Sequence, residues 1–103
     1  MDKVEGLKEI LAADPRNSFA RYGLAMELAN RGETAAAMVE FETLLAGDPD
    51  YTAGYFMAAQ TLAAAGRNSE AIERLKVGID SAARSSNRHA LSEMQAMLDE
   101  LDR

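Results

Sequence analysis

The sequence predicts an all-α protein built from repeated helical units, on three observations. Ala, Leu, Glu and Met, all good helix formers, are plentiful, while Val, Ile, Thr and aromatic residues are too sparse for sheets. Proline occurs only at Pro15 and Pro49, one near the end of each of two similar stretches. The chain also matches itself at a displacement of 34 residues, the separation of those two prolines.

The matched positions are the ones that shape helices. Asp14-Pro15 falls on Asp48-Pro49, Ala25 on Ala59, Leu28-Ala29 on Leu62-Ala63, Gly32 on Gly66 and Ala37 on Ala71. Tyr22 with Phe56, Met38 with Ile72 and Phe41 with Leu75 are similar pairs. Pro15 and Pro49 cannot continue a preceding helix and bias Asp14 and Asp48 away from helical angles. Gly32 and Gly66 stand where a helix stops and the chain reverses, a place that favours left-handed backbone angles. The small residues Ala25, Ala59, Ala37 and Ala71 allow paired helices to approach closely.

The elements follow in order. A first helix is expected over about 2–13, with Val4, Leu7, Ile10 and Leu11 on one face. Further helices are expected near 18–31, 34–46, 51–65 and 69–83, with Ser18, Thr34 and Ser69 as N-caps. Within them the apolar spacing is helical, as in Leu24 with Leu28, then Met38, Phe41, Leu44 and Leu45. A last helix over about 87–102 carries Leu91, Met94, Leu98 and Leu101 on one stripe. The polar break "ARSSNRH" before it is too short to separate domains.

A 34-residue helix–turn–helix unit with this punctuation resembles the tetratricopeptide repeat family. The segment "YFMAAQTLAAAGRNSEAIERL" carries the resemblance best, through Tyr55, Ala59, Leu62, Gly66, Ala71 and Leu75. The earlier unit carries Leu24, Ala25, Leu28, Gly32, Ala37, Phe41 and Pro49. The resemblance implies a right-handed α-α superhelix of about six helices. It divides the single domain 1–103 into a partial N-terminal unit (1–17), repeat 1 (18–51), repeat 2 (52–85) and a C-terminal capping helix (86–103). Arg21 departs from the pattern, standing where the family has a bulky aromatic, and Ala83 stands where a further proline would close the next unit. One helical pair cannot bury its apolar face alone, so each copy covers its neighbour.

Composition narrows the function. A net charge of −6 argues against nucleic acid and against anionic membrane surfaces, both of which need a basic face. There is no cysteine, and the only histidine, His89, reads as a polar surface residue, so no metal site is expected. The glycines are isolated turn or helix positions rather than a phosphate loop. The carboxylates lie at solvent-facing helical spacing. No catalytic residue and no cofactor is therefore expected. The N-terminus has no apolar signal core and no run reaches the length of a membrane span, so a cytoplasmic, non-enzymatic protein is the expectation.

That leaves binding. The resemblance implies a concave surface lined by the first helix of each unit, which in the family commonly holds an extended peptide. It places Phe19, Tyr22, Met26 and Asn30 there from repeat 1, and Phe56, Met57 and Gln60, with Ala53 and Ala64, from repeat 2. Some family members grip a chaperone C-terminal carboxylate with lysine, asparagine and arginine on this surface. Tyr22, Met26 and Met57 stand there instead, so that activity is not expected. Phe19, Tyr22 and Phe56 form an apolar patch large enough to need covering. The last helix, a peptide or partner helix, or a second copy of the chain would each do so. The reading is a protein-interaction adaptor with a protein or peptide partner. The alternative is a homodimer through the same patch.

Overall fold

A computed structural model describes residues 2–103. Six α-helices make up the ordered elements among them: α1 (Lys3–Ala13), α2 (Ser18–Asn30), α3 (Thr34–Gly47), α4 (Thr52–Ala64), α5 (Asn68–Arg84) and α6 (Arg88–Leu101). They stack in chain order as antiparallel neighbours, α2 on α3, α4 on α5 and α5 on α6, with α1 against α2. None of these helices is long and apolar enough to cross a membrane.

The turns explain the hairpins. Gly32 and Gly66 both adopt φ +78°, as a helix-terminating left-handed residue requires. Each closes a Schellman turn: the Glu33 N–H donates to the Leu28 carbonyl and the Arg67 N–H to the Leu62 carbonyl. The same turn recurs after α5, where the Asn87 N–H donates to the Ala82 carbonyl. There the left-handed residue is Ser86, at φ +55°. The helices that precede a proline end differently. Asp14 and Asp48 sit at φ −141° and −142°, outside the helical region, as the following Pro15 and Pro49 dictate.

The expected N-caps are corrected by a residue or two. Ser18 and Thr34 are the first residues of α2 and α3, and Ser69 is the second of α5. The capping residue of α2 is Asn17, whose side chain accepts from the Ala20 N–H at 2.9 Å. Glu33 and Arg67 hold the cap positions of α3 and α5 without a side-chain capping bond. The Schellman turns just before them already fix how the chain enters those helices.

The core runs along the stack in two parts that Met38 joins. The first gathers Val4 and Leu11 of α1, Leu24, Ala25 and Leu28 of α2, and Ala37 and Phe41 of α3. The second gathers Tyr55, Ala59 and Leu62 of α4, Ala71 and Leu75 of α5, and Met94 of α6. Ala25, Ala37, Ala59 and Ala71 are fully buried, so small residues do let the paired helices close up. The tightest approach lies elsewhere. A Cβ on Gly78 would stand 2.5 Å from the Tyr55 Cβ and 2.6 Å from the Met94 Sδ, so α5 admits α4 and α6 together only because residue 78 has no side chain.

α6 presents the expected stripe inward. Met94 is fully buried, and Leu91, Leu98 and Leu101 pack half-buried around the second part of the core. Each unit thus lies between two others, with α1 covering repeat 1 and α6 covering repeat 2.

Candidate functional site

The residues expected on the concave face are all on α2 and α4, and the fold separates them into three environments. Met26 and Asn30 of α2 come together with Met57 and Gln60 of α4 around one shallow cavity of about 420 Å³. Ala29 and Thr61 complete its floor. Met26 and Met57 are half-buried with their inner parts in the core, while Asn30 and Gln60 are exposed at the rim. Flexible thioethers in the middle and amides at the edge suit an apolar strand whose backbone still needs hydrogen bonds.

Phe19 and Tyr22 lie nearer the N-terminus of α2, outside this cavity. Phe19 is 80% exposed. Tyr22 packs against Tyr51, with ring centroids 5.3 Å apart and planes inclined at 45°. Burial, then the neighbouring Tyr51, pushes the Tyr22 phenol above its ordinary range. It is therefore an uncharged hydrogen-bond donor at neutral pH. Tyr51 escaped the sequence reading because it falls on Asn17 in the repeat register, so no internal symmetry flags it.

Phe56 has a different fate. It is half-buried in the second part of the core, together with Leu91, Leu98 and Leu101 of α6. α6 meets α4 as well as α5, while Met26 and Met57 pack against the first part of the core and Phe19 stays exposed.

A second depression, of about 440 Å³, lies near the turn between α1 and α2, against Arg16, Ser18, Arg21 and Thr43. Its main cationic group is committed. Arg21 donates to Glu40 at 2.6 Å and to the Pro15 carbonyl at 3.1 Å. His89 is exposed and lies 3.0 Å from Glu93, one helical turn along.

The helix-pair geometry, the paired glycine turns and the 34-residue register agree with comparison against known proteins. A family description, Tetratricopeptide repeat, matches residues 28–98. The chain belongs to the tetratricopeptide repeat family. It is 30% identical over 100 residues to a TPR repeat-containing protein of Pseudomonas aeruginosa, an alignment covering 97% of this chain and 95% of that protein. A tetratricopeptide repeat domain protein from Salinibacter ruber, solved by solution NMR, is 31% identical with a TM-score of 0.79, over 85% of this chain and 89% of the other. The TPR2B domain of yeast Sti1, solved as a pHsp70 complex, superposes with a TM-score of 0.88 at 18% identity, over 96% of this chain and 79% of that domain. The last of these speaks to the fold alone.

Proposed function

We propose that the chain is a non-enzymatic interaction module whose concave face binds an extended, largely apolar segment of a protein partner. The observation that carries this is the meeting of Met26, Asn30, Met57 and Gln60 around one open cavity, with Phe19 bare beside it on the same helix. Apolar surface gathered on one face, rather than a single exposed ring, is what marks an interaction site. Support comes from the Sti1 domain, which uses the same fold in a complex with pHsp70.

The chemistry of the face selects the partner. No cationic side chain lines the cavity, so nothing there pairs with a C-terminal carboxylate. Affinity comes instead from covering methionine and phenyl surface, and orientation from the two amides at the rim.

The test starts from peptides selected on the chain from a displayed library, followed by calorimetry. Phe19→Asp and Gln60→Glu, both at exposed positions, are expected to weaken the selected peptide at least tenfold while thermal unfolding stays as in the parent. Equal binding by both variants sinks the proposal. An acidic chaperone C-terminal peptide is expected to give no saturable signal. Saturable binding that disappears when its carboxylate is amidated would show that the face works as a clamp after all.

A further inference from the structure

An aromatic pair stands beside the methionine cavity and has chemistry of its own. Tyr51, the residue just before α4, meets Tyr22 of α2 with ring centroids 5.3 Å apart and planes inclined at 45°. Both residues are half-buried, so each keeps part of its surface open to solvent. The exposed Phe19 precedes Tyr22 by one helical turn. In the 34-residue register Asn17 stands in the place of Tyr51, and the pair therefore occurs once, where the two repeats meet.

The charge beside the pair is negative. Burial first and the Asp48 carboxylate second raise the Tyr51 phenol above its ordinary range. Among the described residues Asp48 forms no ion pair. Arginines of neighbouring helices are committed elsewhere, Arg21 to Glu40 at 2.6 Å and Arg84 to Asp50 at 2.8 Å. The chain thus brings aromatic surface and a carboxylate together without a cation of its own paired to that carboxylate.

An aromatic face attracts a cation, and a carboxylate beside it adds a charge-assisted hydrogen bond. A guanidinium meets both demands at once, because it lies flat on a ring and keeps N–H groups at its edge for the carboxylate. An ammonium is a compact, strongly hydrated point charge and fits that combination less well. The net charge of −6 also draws a basic segment towards the chain. Met26 lies one turn beyond Tyr22, about 6 Å along α2, a distance that an extended chain spans in about two residues.

We infer that the segment held by the concave face, on the peptide-binding reading above, carries an arginine that lies on the Tyr22–Tyr51 pair with its guanidinium against Asp48. The methionine cavity takes an apolar residue about two positions away. The partner is therefore a basic and apolar segment, and the arginine sets which segment is chosen.

Peptides selected on the full chain from a displayed library test this by calorimetry. They are expected to carry an arginine about two residues from a large apolar residue. Citrulline, the uncharged isostere of arginine, is expected to weaken such a peptide about tenfold, and lysine to recover only part of the loss. Asp48→Asn removes the charge and keeps the shape. It is expected to weaken the arginine peptide about fivefold and to leave the citrulline peptide unchanged. Tyr51→Phe keeps the ring and the affinity, whereas Tyr51→Leu loses about fivefold. Thermal unfolding checks that each variant keeps the fold, and if Tyr51→Leu does not, the comparison at Asp48 decides. Binding that Phe19→Asp and Gln60→Glu weaken, but that is indifferent to citrulline or to Asp48→Asn, overturns the inference and leaves the peptide site standing. Binding indifferent to Phe19→Asp and Gln60→Glu, or no binder at all, removes the peptide site and the arginine with it.

Discussion

Arg21 and Tyr55 stand one repeat length apart and do the same job with different chemistry. The Arg21 guanidinium donates to the Pro15 carbonyl at 3.1 Å, and the Tyr55 hydroxyl donates to the Pro49 carbonyl at 2.8 Å. Each ties the first helix of its repeat to the proline turn before it. Arg21 adds a second bond, 2.6 Å to Glu40 of α3, with side chains only 18% and 20% exposed. Truncating Arg21 leaves a poorly hydrated carboxylate without its partner. Arg21→Ala is expected to cost about 1–3 kcal/mol, against about 0.5–1.5 kcal/mol for Tyr55→Phe, which loses one neutral hydrogen bond. Arg21→Tyr offers no rescue, because Tyr55 lies over Gly78 and the matching position in repeat 1 is the bulky Leu44. Chemical denaturation of the three variants checks the order. Arg21→Ala as stable as the parent would mean that the Glu40 pair contributes nothing.

Gly78 is the second position where a single atom decides the packing. In an exposed helix, Gly→Ala gains about 1 kcal/mol. Here the added Cβ would lie 2.5 Å from the Tyr55 Cβ and 2.6 Å from the Met94 Sδ. The Met94 sulfur can swing aside, but the Tyr55 Cβ is fixed to the α4 backbone. Gly78→Ala is therefore expected to destabilise by about 1–3 kcal/mol, as overpacking does, and to increase binding of an apolar dye as α6 loosens. A rise in melting temperature would show that α4 and α5 have room to separate.

These two positions mark where the sequence was readable. Repeat length, hairpin order and turn glycines were all legible, because Gly32, Gly66, Pro15 and Pro49 act on the backbone within a residue or two of themselves. Gly78 was not, since its reason lies in Tyr55 and Met94 on two other helices. The set of candidate residues on α2 and α4 came from the family resemblance, and helical period agreed with it on α2. How the fold divides that set was not legible. Phe19 and Phe56 look alike in sequence, yet one is bare and the other packs against the second part of the core, a difference set by tertiary packing. Tyr51 lay hidden for a related reason, as it reaches Tyr22 from the turn between repeats rather than from either helix face.

Acid weakens the fold through three surface carboxyls held low by arginines, Glu70 by Arg67 within α5 and two that join separate elements. Asp50 accepts from Arg84 at 2.8 Å and from Ser81 at 3.2 Å, and the Arg84 bond above all holds its carboxyl below the usual range. Asp2, at the N-cap of α1, is likewise held low by Arg31 in the turn after α2. A carboxyl depressed in the folded state favours folding above its unfolded pKa, and that contribution fades as pH falls through the folded value. Melting temperature is expected to stay level from neutral pH down to about 5 and to fall below about 4, the ordinary range of an aspartate. Asp50→Asn is expected to flatten that acid limb while lowering the neutral plateau slightly. An acid limb of unchanged slope in Asp50→Asn would remove Asp50 from the account.

Ser86 holds the position after α5 that Gly32 and Gly66 hold after α2 and α4, with the same Schellman bond across it. A side chain at φ +55° costs about 1–2 kcal/mol that glycine does not incur. Glycine in turn gives the unfolded chain extra freedom, at a cost of about 0.4–1 kcal/mol. The difference favours Ser86→Gly, by up to about 1 kcal/mol and hence several degrees in melting temperature for a domain of this size. The gain rests on the backbone alone, since Ser86 is exposed and its side chain closes no bond of the turn. Gly66→Val is the reverse experiment. No atom lies near enough to obstruct a Cβ there, so any loss is conformational, and a β-branched residue at φ +78° is expected to cost about 1–3 kcal/mol. Measured together, the two substitutions should move thermal stability in opposite directions. A drop for Ser86→Gly would show that the α5–α6 turn does not use the left-handed conformation in solution.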